Sequence, residues 1–339
     1  MKKLFTLLAL TISFSMNAQL TAVSEGGNTG QRLSTSNASN HGDIGSNAVD
    51  LSYSSTSSST RGATGNYSVA MGSSSTASGS YSTAIGSIAT ASGDYSTAMG
   101  NSTTASGSYS TVMGVSTIAS GSRSTAMGET TRASGDYSTA MGAWTTASGS
   151  HSTVMGVSTI AGGDYSTATG RNTTASGQAS TTMGYQTTAS DYGSLVIGQY
   201  NSSGSSATSA SSFSTSAPAF VIGNGADSSN KSDAFKVMFN GDTTVSNDLT
   251  VSGDVVISSD ARLKSNIVSL GSTLPKLLQI DGKSYEMKGK QKIGVLAQEI
   301  QEVFPELVSE DDNEMLAVNY QGLVPVLINA LKEQDAKMK

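Results

Sequence analysis

The chain has 339 residues, of which 36% are hydrophobic, 6% aromatic and 13% charged, with 37 glycines and no cysteine. A soluble globular domain is roughly half apolar and about one quarter charged, so this composition excludes a large conventional core. The lack of cysteine excludes disulfides, thiolate metal sites and a cysteine nucleophile. A formal net charge of -6 gives no electrostatic reason to expect nucleic acid as a partner.

The first residues have the pattern of a secretory signal peptide. Lys2 and Lys3 precede a short apolar stretch over residues 4–14, and small residues lead to a cleavage position after Ala18. The stretch is too short to span a bilayer. We therefore predict a signal peptide over residues 1–18, a secreted or cell-surface product, and no insertion into the membrane.

A fourteen-residue period dominates the middle of the chain. Each glycine of the first series follows a block such as Tyr81-Ser82-Thr83-Ala84-Ile85, and a second series of glycines lies halfway between. Two short strands and two tight corners fill such a unit, and glycine adopts the positive φ that a corner requires. We therefore predict a parallel β-roll of stacked coils over residues 66–200, preceded by a degenerate amino-terminal cap over 19–65. The glycines of the first series are Gly72, Gly86, Gly100, Gly114, Gly128, Gly142, Gly156, Gly170, Gly184 and Gly198.

Alternation along each strand predicts two faces. One face carries methionine or isoleucine in nearly every coil, and we expect the roll to bury it. The other carries alanine or valine, and we expect it to pack on a second chain, because one roll buries too little apolar surface to offset the ordering of its residues. The first face consists of Met71, Ile85, Met99, Met113, Met127, Met141, Met155, Met183 and Ile197, interrupted at Thr169.

Tyrosine recurs at one corner of the coils, for example at Tyr81 and Tyr95. The series could bind an aromatic or sugar ligand, or it could form a ladder of rings stacked from coil to coil. We favour the stacked ladder, because Arg123, His151 and Ala179 replace the tyrosine within the series.

The block Asn66-Tyr67-Ser68-Val69-Ala70-Met71-Gly72 and its later copies resemble the fourteen-residue repeat of trimeric autotransporter adhesin heads, the YadA-like heads. The resemblance implies a left-handed parallel β-roll, a homotrimer whose inner strands face the three-fold axis, and a surface role with a host or matrix ligand. Members of that family continue into a stalk and a membrane anchor that exports the head. We find neither pattern in the sequence and do not expect a self-exporting adhesin.

The period fails after Gly198. We predict a Ser/Ala-rich linker over residues 201–217 and a β-rich fibre neck over residues 218–258. The neck includes predicted strands at 249–251 and 254–257.

Residues 259–339 differ from the rest in being rich in both acidic and basic side chains. Periodicity predicts helices over 272–280, 298–303 and 323–337, with short strands between them. This pattern indicates a small α+β domain.

The boundary sequence Ser258-Ser259-Asp260-Ala261-Arg262-Leu263-Lys264, with later blocks such as Phe304-Pro305-Glu306-Leu307-Val308, resembles the endosialidase-type intramolecular chaperone. That family stands at the carboxy terminus of trimeric phage tail spikes and fibrous surface proteins. The resemblance implies that the domain trimerises the chain, guides folding of the upstream fibre and then cuts itself off. By match to the Ser-Asp-x-Arg-x-Lys motif, Ser259 is the nucleophile, Lys264 is the base and Ser258–Ser259 is the scissile bond.

The chemistry of such a cut needs a base for the serine. No histidine follows His151, which excludes a Ser-His-Asp triad in this domain. A lysine accepts a proton only when neutral, and burial and the nearby cation Arg262 favour that form. An offset of five residues puts Ser259 and Lys264 on different sides of one helix, so we expect a bend or a neighbouring chain to bring them together. Asp260 would orient Arg262. A helix start with Ser259 as N-cap and no cleavage is the alternative.

The sequence thus predicts a mainly β, exported, homotrimeric surface fibre that acts as its own serine-lysine endopeptidase once, without a cofactor or metal. The acidic run over 310–314 lacks the ligand spacing of a calcium loop. A structural or ice-binding solenoid with a non-cleaving trimerisation domain is the alternative, although its threonine rows are interrupted. A carbohydrate-cleaving spike is disfavoured because the head lacks paired carboxylates.

Overall fold

The computed structural model describes residues 20–310 and 314–339. The predicted signal peptide over residues 1–18 lies outside the described residues. The described residues form two compact units, which divide between Thr250 and Val251.

The first unit is a β-solenoid with about 12 turns over residues 31–199. Each repeat supplies a five-residue strand to one long sheet and a two-residue strand to a second sheet, for example Thr83–Ser87 and Thr90–Ala91. Equivalent positions of successive coils pair in parallel, so that Ile85 lies beside Met99. The prediction of a mainly β, parallel roll is confirmed.

The strand bounds repeat with the period of the sequence. Coil strands of the first sheet are Val49–Tyr53, Val69–Ser73, Thr83–Ser87, Thr97–Asn101, Thr111–Val115, Thr125–Glu129, Thr139–Ala143, Thr153–Val157, Thr167–Arg171, Thr181–Tyr185 and Leu195–Gln199. Those of the second sheet are Gly62–Ala63, Thr76–Ala77, Thr90–Ala91, Thr104–Ala105, Ile118–Ala119, Arg132–Ala133, Thr146–Ala147, Ile160–Ala161, Thr174–Ala175 and Thr188–Ala189.

Alanine and valine fill the interior of the roll. Ala84 and Ala91, from the two sheets of one coil, are fully buried, as is Val112. The methionines lie on the outer surface, where Met71 is 39% exposed and Met155 41% exposed. The prediction that the Met/Ile face is buried inside the roll is therefore wrong. A fourteen-residue coil encloses too narrow a space for methionine, so the small side chains turn inward and the large ones outward.

Glycines of both series approach the next coil closely, and neither series supplies the positive φ of the tight corners. Gly86 has a φ of +136° but lies inside a strand, whereas the corner residues with positive φ include Tyr81 and Ile88. In the second series the reason for glycine is close approach. A Cβ on Gly163 would lie 2.1 Å from the carbonyl oxygen of Gly177 in the next coil. The prediction that glycine provides the corner conformation is wrong.

A buried ionic cluster closes the amino-terminal end of the roll. The antiparallel strands Leu20–Glu25 and Asn28–Leu33 precede the first coil, and the second of them pairs in parallel with Val49–Tyr53. Within this cap, Asp50 Oδ2 lies 3.3 Å from Arg32 Nε and 3.0 Å from His41 Nδ1. Both side chains around Asp50 are almost completely buried, so polar contacts stabilise the cap where the alanine interior ends.

The roll continues past the point where the sequence period fails. Strand Pro218–Asn224 pairs in parallel with Leu195–Gln199, placing Gly223 beside Gly198. Residues 201–217 are thus a long turn within the roll, not a linker between two bodies. Asp191 anchors this turn, since its buried Oδ1 accepts hydrogen bonds from two backbone N–H groups in it, each at 2.6 Å.

The remaining neck is only partly regular. Strands Asp233–Met238 and Thr243–Val245 extend the long sheet in antiparallel fashion. The predicted strands at 249–251 and 254–257 are absent, and their side chains are exposed, Val256 by 88%. A strand needs a partner for its backbone groups, and none of the strands in the described part of the chain pairs with these residues.

The second unit is a small α+β domain, as predicted. Its core joins Ile300, Val303 and Phe304 to Val326 of the last helix. The predicted helix over 272–280 is a single turn. From residue 274 onward, the elements of the second unit are α1 (Leu274–Leu277), strands Lys283–Met287 and Lys290–Gly294, α2 (Ala297–Val303), a 3-10 turn at Pro305–Leu307, strands Val308–Glu310 and Leu316–Val318, a 3-10 turn at Tyr320–Gly322 and α3 (Leu323–Met338).

Candidate functional site

The two residues predicted to carry the cleavage chemistry lie side by side in a single chain. A 3-10 turn over Ala261–Leu263 separates them, and the N–H of Lys264 closes it by donating to the carbonyl of Ala261 at 3.1 Å. The turn directs the Lys264 side chain back along the chain, where Nζ donates a hydrogen bond to Ser259 Oγ at 2.7 Å. Of the two expected arrangements, a bend or a neighbouring chain, the bend brings the two side chains together within one chain.

Asp260 and Arg262 build that turn. Asp260 Oδ1 accepts a hydrogen bond from the Arg262 N–H at 2.9 Å, which makes Asp260 the N-cap. The Arg262 guanidinium also donates to both carboxylate oxygens, at 3.0 Å and 2.7 Å. These bonds, first the one from the Arg262 side chain, lower the pKa of Asp260 below its ordinary value. Asp260, and not Ser259 as in the non-cleaving alternative, is the residue that caps the turn.

The pair is exposed to water in the single chain. Ser259 and Lys264 are both exposed, and the apolar side chains of Ile257, Leu263 and Ile267 around them are exposed as well. A protonated amine that donates to a hydroxyl holds the nucleophile in place but does not activate it. The arrangement therefore has the geometry of a serine-lysine pair, but the side chains are not shielded from water in the single chain.

A clamp in the same unit fixes the chain that follows the pair. Glu333 of α3 accepts hydrogen bonds from the backbone N–H of Thr273 and, at 2.7 Å, from Ser272 Oγ. The bond from the Thr273 N–H is the main reason that the pKa of Glu333 lies below its ordinary value. The sequence analysis missed this contact, because sixty residues separate its partners and no local pattern links them.

The tyrosine corner forms the stacked ladder that the sequence predicted. Tyr81 stacks on the next ring, Tyr95, with centroids 4.9 Å apart. Where Arg123 replaces tyrosine, its guanidinium lies 5.2 Å from the ring centroids on both sides, and His151 stacks between its neighbours in the same way. Each ring inside these runs is covered on both faces by its neighbours, so the ladder stabilises coil stacking.

Other sites considered from the sequence bring no further candidates. Among the described residues, no group of three or more histidine, aspartate or glutamate side chains is placed to hold a metal ion. The acidic run includes residues 311–313, which lie outside the described part. No helix within that described part is long and apolar enough to cross a membrane.

Comparison with known families divides the chain at the same places. The family model described as "YadA head domain repeat (2 copies)" matches residues 63–87, 91–117, 119–143, 147–173 and 175–201. The model described as "Chaperone of endosialidase" matches residues 259–309. A search of curated proteins gave no match to the chain. Within residues 63–201 the chain thus matches the model of YadA head repeats, and over residues 259–309 it matches that of the endosialidase chaperone, the two families that its sequence resembles and in the expected order.

Proposed function

We propose that this protein is an exported, homotrimeric, adhesin-like surface fibre whose C-terminal domain assists assembly and then cuts itself off between Ser258 and Ser259. The matches to YadA head repeats and to the endosialidase chaperone support the fibrous, adhesin-like character and the trimerisation role. The observation that carries the cleavage proposal is the 2.7 Å contact between Lys264 Nζ and Ser259 Oγ, within the chaperone segment.

Two uncovered apolar surfaces support an oligomer. On the roll, the outward threonine and methionine columns of the long sheet are half-exposed in coil after coil. In the second unit, α3 buries Val326 and Ala330 against its own domain while Leu327, Ile328 and Leu331 on its other side are exposed. A helix with apolar residues on two sides needs a second partner in water. Three copies of the chain would cover both surfaces.

The cut itself is an acyl shift followed by hydrolysis. Neutral Lys264 takes the proton from Ser259 Oγ, and the oxygen attacks the carbonyl carbon of Ser258. The Ser258–Ser259 C–N bond breaks, the amino group of Ser259 receives the proton, and an ester joins the two residues through Oγ. Water then hydrolyses the ester, leaving a carboxylate on Ser258 and restoring the hydroxyl of Ser259.

Assembly would switch this reaction on by removing water. Lys264 is exposed in the single chain. Burial of the exposed Ile257, Leu263 and Ile267 against neighbouring chains would remove water from the amine, and loss of water disfavours the charged form of a lysine. The neighbouring chains would thus exclude water from the serine-lysine pair, while the 3-10 turn holds the two side chains together.

Intact-mass analysis of the purified protein tests the proposal. The wild type is expected to yield a fragment that begins at Ser259, whereas Ser259→Ala and Lys264→Met stay full length. Ser258→Ala is the matched control, because the attacked carbonyl belongs to the backbone and cleavage should persist. Light scattering should find trimers in all four proteins. A trimeric wild type that stays uncut would favour the non-cleaving solenoid, and cleavage of Ser259→Ala would refute the assigned nucleophile.

A further inference from the structure

The second corner of each coil is where the repeats differ most from one another. Inward positions are confined to small residues by packing, and the outward strand positions repeat threonine and methionine. The two corner residues after each first-series glycine have no such constraint, and they become larger and more polar along the roll. In chain order these pairs are Ser73-Ser74, Ser87-Ile88, Asn101-Ser102, Val115-Ser116, Glu129-Thr130, Ala143-Trp144, Val157-Ser158, Arg171-Asn172, Tyr185-Gln186 and Gln199-Tyr200.

Trp144 is the most unusual of these residues. It is the single tryptophan of the chain and is 55% exposed, and it shares with the second residues of the other pairs a positive φ, here 53°, that bulky side chains adopt at a cost. The tyrosines of the other corner share that conformation, but stacking from coil to coil compensates them. Within the described part of the chain, no ring or cation stacks on the Trp144 indole. Its aromatic surface is available to a partner from outside the chain.

Hydrogen-bonding side chains occupy the coil that precedes Trp144. The backbone N–H of Trp144 donates to the backbone carbonyl of Glu129 at 2.9 Å, and Arg132 pairs with Thr146 in the sheet register, so Glu129 and Arg132 belong to the neighbouring coil at this corner. Both are exposed, and neither forms an ion pair with another described residue. The coil beside Trp144 thus carries a carboxylate and a guanidinium, whose formal charges cancel.

A sugar ring matches this combination. Its C–H face packs on an aromatic plane, and its hydroxyls both donate to a carboxylate and accept from a guanidinium. A protein partner would need a larger continuous apolar area, and on the roll that area is the threonine and methionine face. We propose that Trp144 is the stacking platform of a binding site for a neutral saccharide, with Glu129 and Arg132 as its hydrogen-bonding side chains. The proposal deepens the surface role given above and names its ligand class.

The same corner extends the site toward the carboxy-terminal coils. The Arg171 guanidinium lies 5.6 Å from the centroid of the Tyr185 ring, and the Tyr185 and Tyr200 rings meet edge to face at 5.3 Å. Gln186 and Gln199 add amide groups beside them. Coils are separated by about the 4.8 Å that separates the stacked rings Tyr67 and Tyr81, so Tyr185 lies three such steps from Trp144. A chain of several sugars would contact both places, and a single sugar would contact one.

The single tryptophan makes the test direct. The intrinsic fluorescence of the full-length protein is titrated with chitotetraose, cellotetraose and maltotetraose, and with the corresponding monosaccharides. At least one tetrasaccharide should shift the Trp144 emission and bind more tightly than its monosaccharide. Calorimetry with that tetrasaccharide should show a loss of about tenfold or more for Trp144→Ala, a smaller loss for Trp144→Phe, and none for the same-corner control Ile88→Ala.

Three outcomes would overturn the proposal. They are no emission change with any of the tetrasaccharides at millimolar concentration, equal affinity in Trp144→Ala, and a changed oligomeric state of Trp144→Ala, which would assign the indole to a contact between chains. All measurements are repeated with Ser259→Ala, so that failure of saccharide binding and failure of self-cleavage are distinguished.

Discussion

Gly162 and Gly163 are neighbours in the chain, but they meet opposite surroundings, and this difference tests the coil-stacking interpretation. A Cβ on Gly163 would lie 2.1 Å from the carbonyl oxygen of Gly177, which is backbone and cannot move alone. A Cβ on Gly162 would have Ser148 Oγ as its nearest neighbour at 3.8 Å, an ordinary contact distance. Neither glycine has a positive φ, so conformational strain does not distinguish them.

The expected loss of unfolding free energy in Gly163→Ala follows from the hydrogen bonds between coils. To admit alanine at Gly163, the next coil must move away by about 1 Å, because Cβ contacts under 3.0 Å essentially do not occur. That displacement breaks neighbouring ladder bonds such as Gly163 N–H to Ala175 O, now 3.2 Å, and Thr167 N–H to Ser180 O, now 2.9 Å. At about 1 kcal/mol for each lost bond and up to about 3 kcal/mol for overpacking, we expect Gly163→Ala to cost about 4 kcal/mol per chain. Gly162→Ala should instead stabilise by about 0.4–1 kcal/mol, because it restricts only the unfolded chain.

Denaturant unfolding followed by circular dichroism measures this difference. Both variants are made in the Ser259→Ala background at one protein concentration, so that oligomeric state and chain length are the same. The free energies of unfolding of Gly162→Ala and Gly163→Ala should differ by about 4–5 kcal/mol, with the larger loss at Gly163. A difference below about 1 kcal/mol would show that the coils are not stacked at this distance and would refute the close-approach role of the second glycine series.

Three further predictions concern charged groups. Arg123→Ala removes two cation–ring contacts from the tyrosine ladder and should lower the free energy of unfolding of the first unit by about 1–2 kcal/mol, with Arg123→Tyr restoring it. The N–H of Thr273 lowers the pKa of Glu333 below its ordinary 4.5. The Glu333 carboxylate therefore stabilises the folded state above pH 4.5, and this stabilisation is lost as the pH falls through the lower folded-state pKa. Urea unfolding of the second unit between pH 6 and 3 should therefore show an acid loss that Glu333→Gln diminishes, and identical pH profiles would contradict this. Asp50→Ala should lower the free energy of unfolding by about 3 kcal/mol, because it leaves the buried Arg32 without its carboxylate partner. An unchanged thermal unfolding midpoint would contradict the buried cluster.

The sequence was informative wherever the relevant partner lies one repeat away. The fourteen-residue period predicted the parallel register, the stacked tyrosines and the coil strands, because each residue contacts its own copy in the next coil. Alternation defined two faces but not which one is enclosed. That choice depends on the width of the closed coil, which admits Ala84 and leaves Ile85 outside.

Partners at irregular distances could not be predicted in this way. A β-rich neck from residue 218 was expected, but the place of strand Pro218–Asn224 in the roll beside Leu195–Gln199 depends on a long turn that interrupts the period. At the cleavage site, the motif identified Ser259 and Lys264, whereas their contact depends on a 3-10 turn in place of a helix. The Asp260 side chain, bonded to the backbone two residues later, selects that turn.

The interior of small side chains, which repeats from coil to coil, makes the coils of the roll interchangeable modules. Duplication or deletion of one whole repeat in the gene would lengthen or shorten the molecule by one ring spacing, 4.8 Å, and pose no new packing problem. The ionic cap at one end and the long turn at the other would stay as they are. The number of repeats thus sets the length of the roll, and this number can change by gene duplication or deletion while the contacts between coils stay the same.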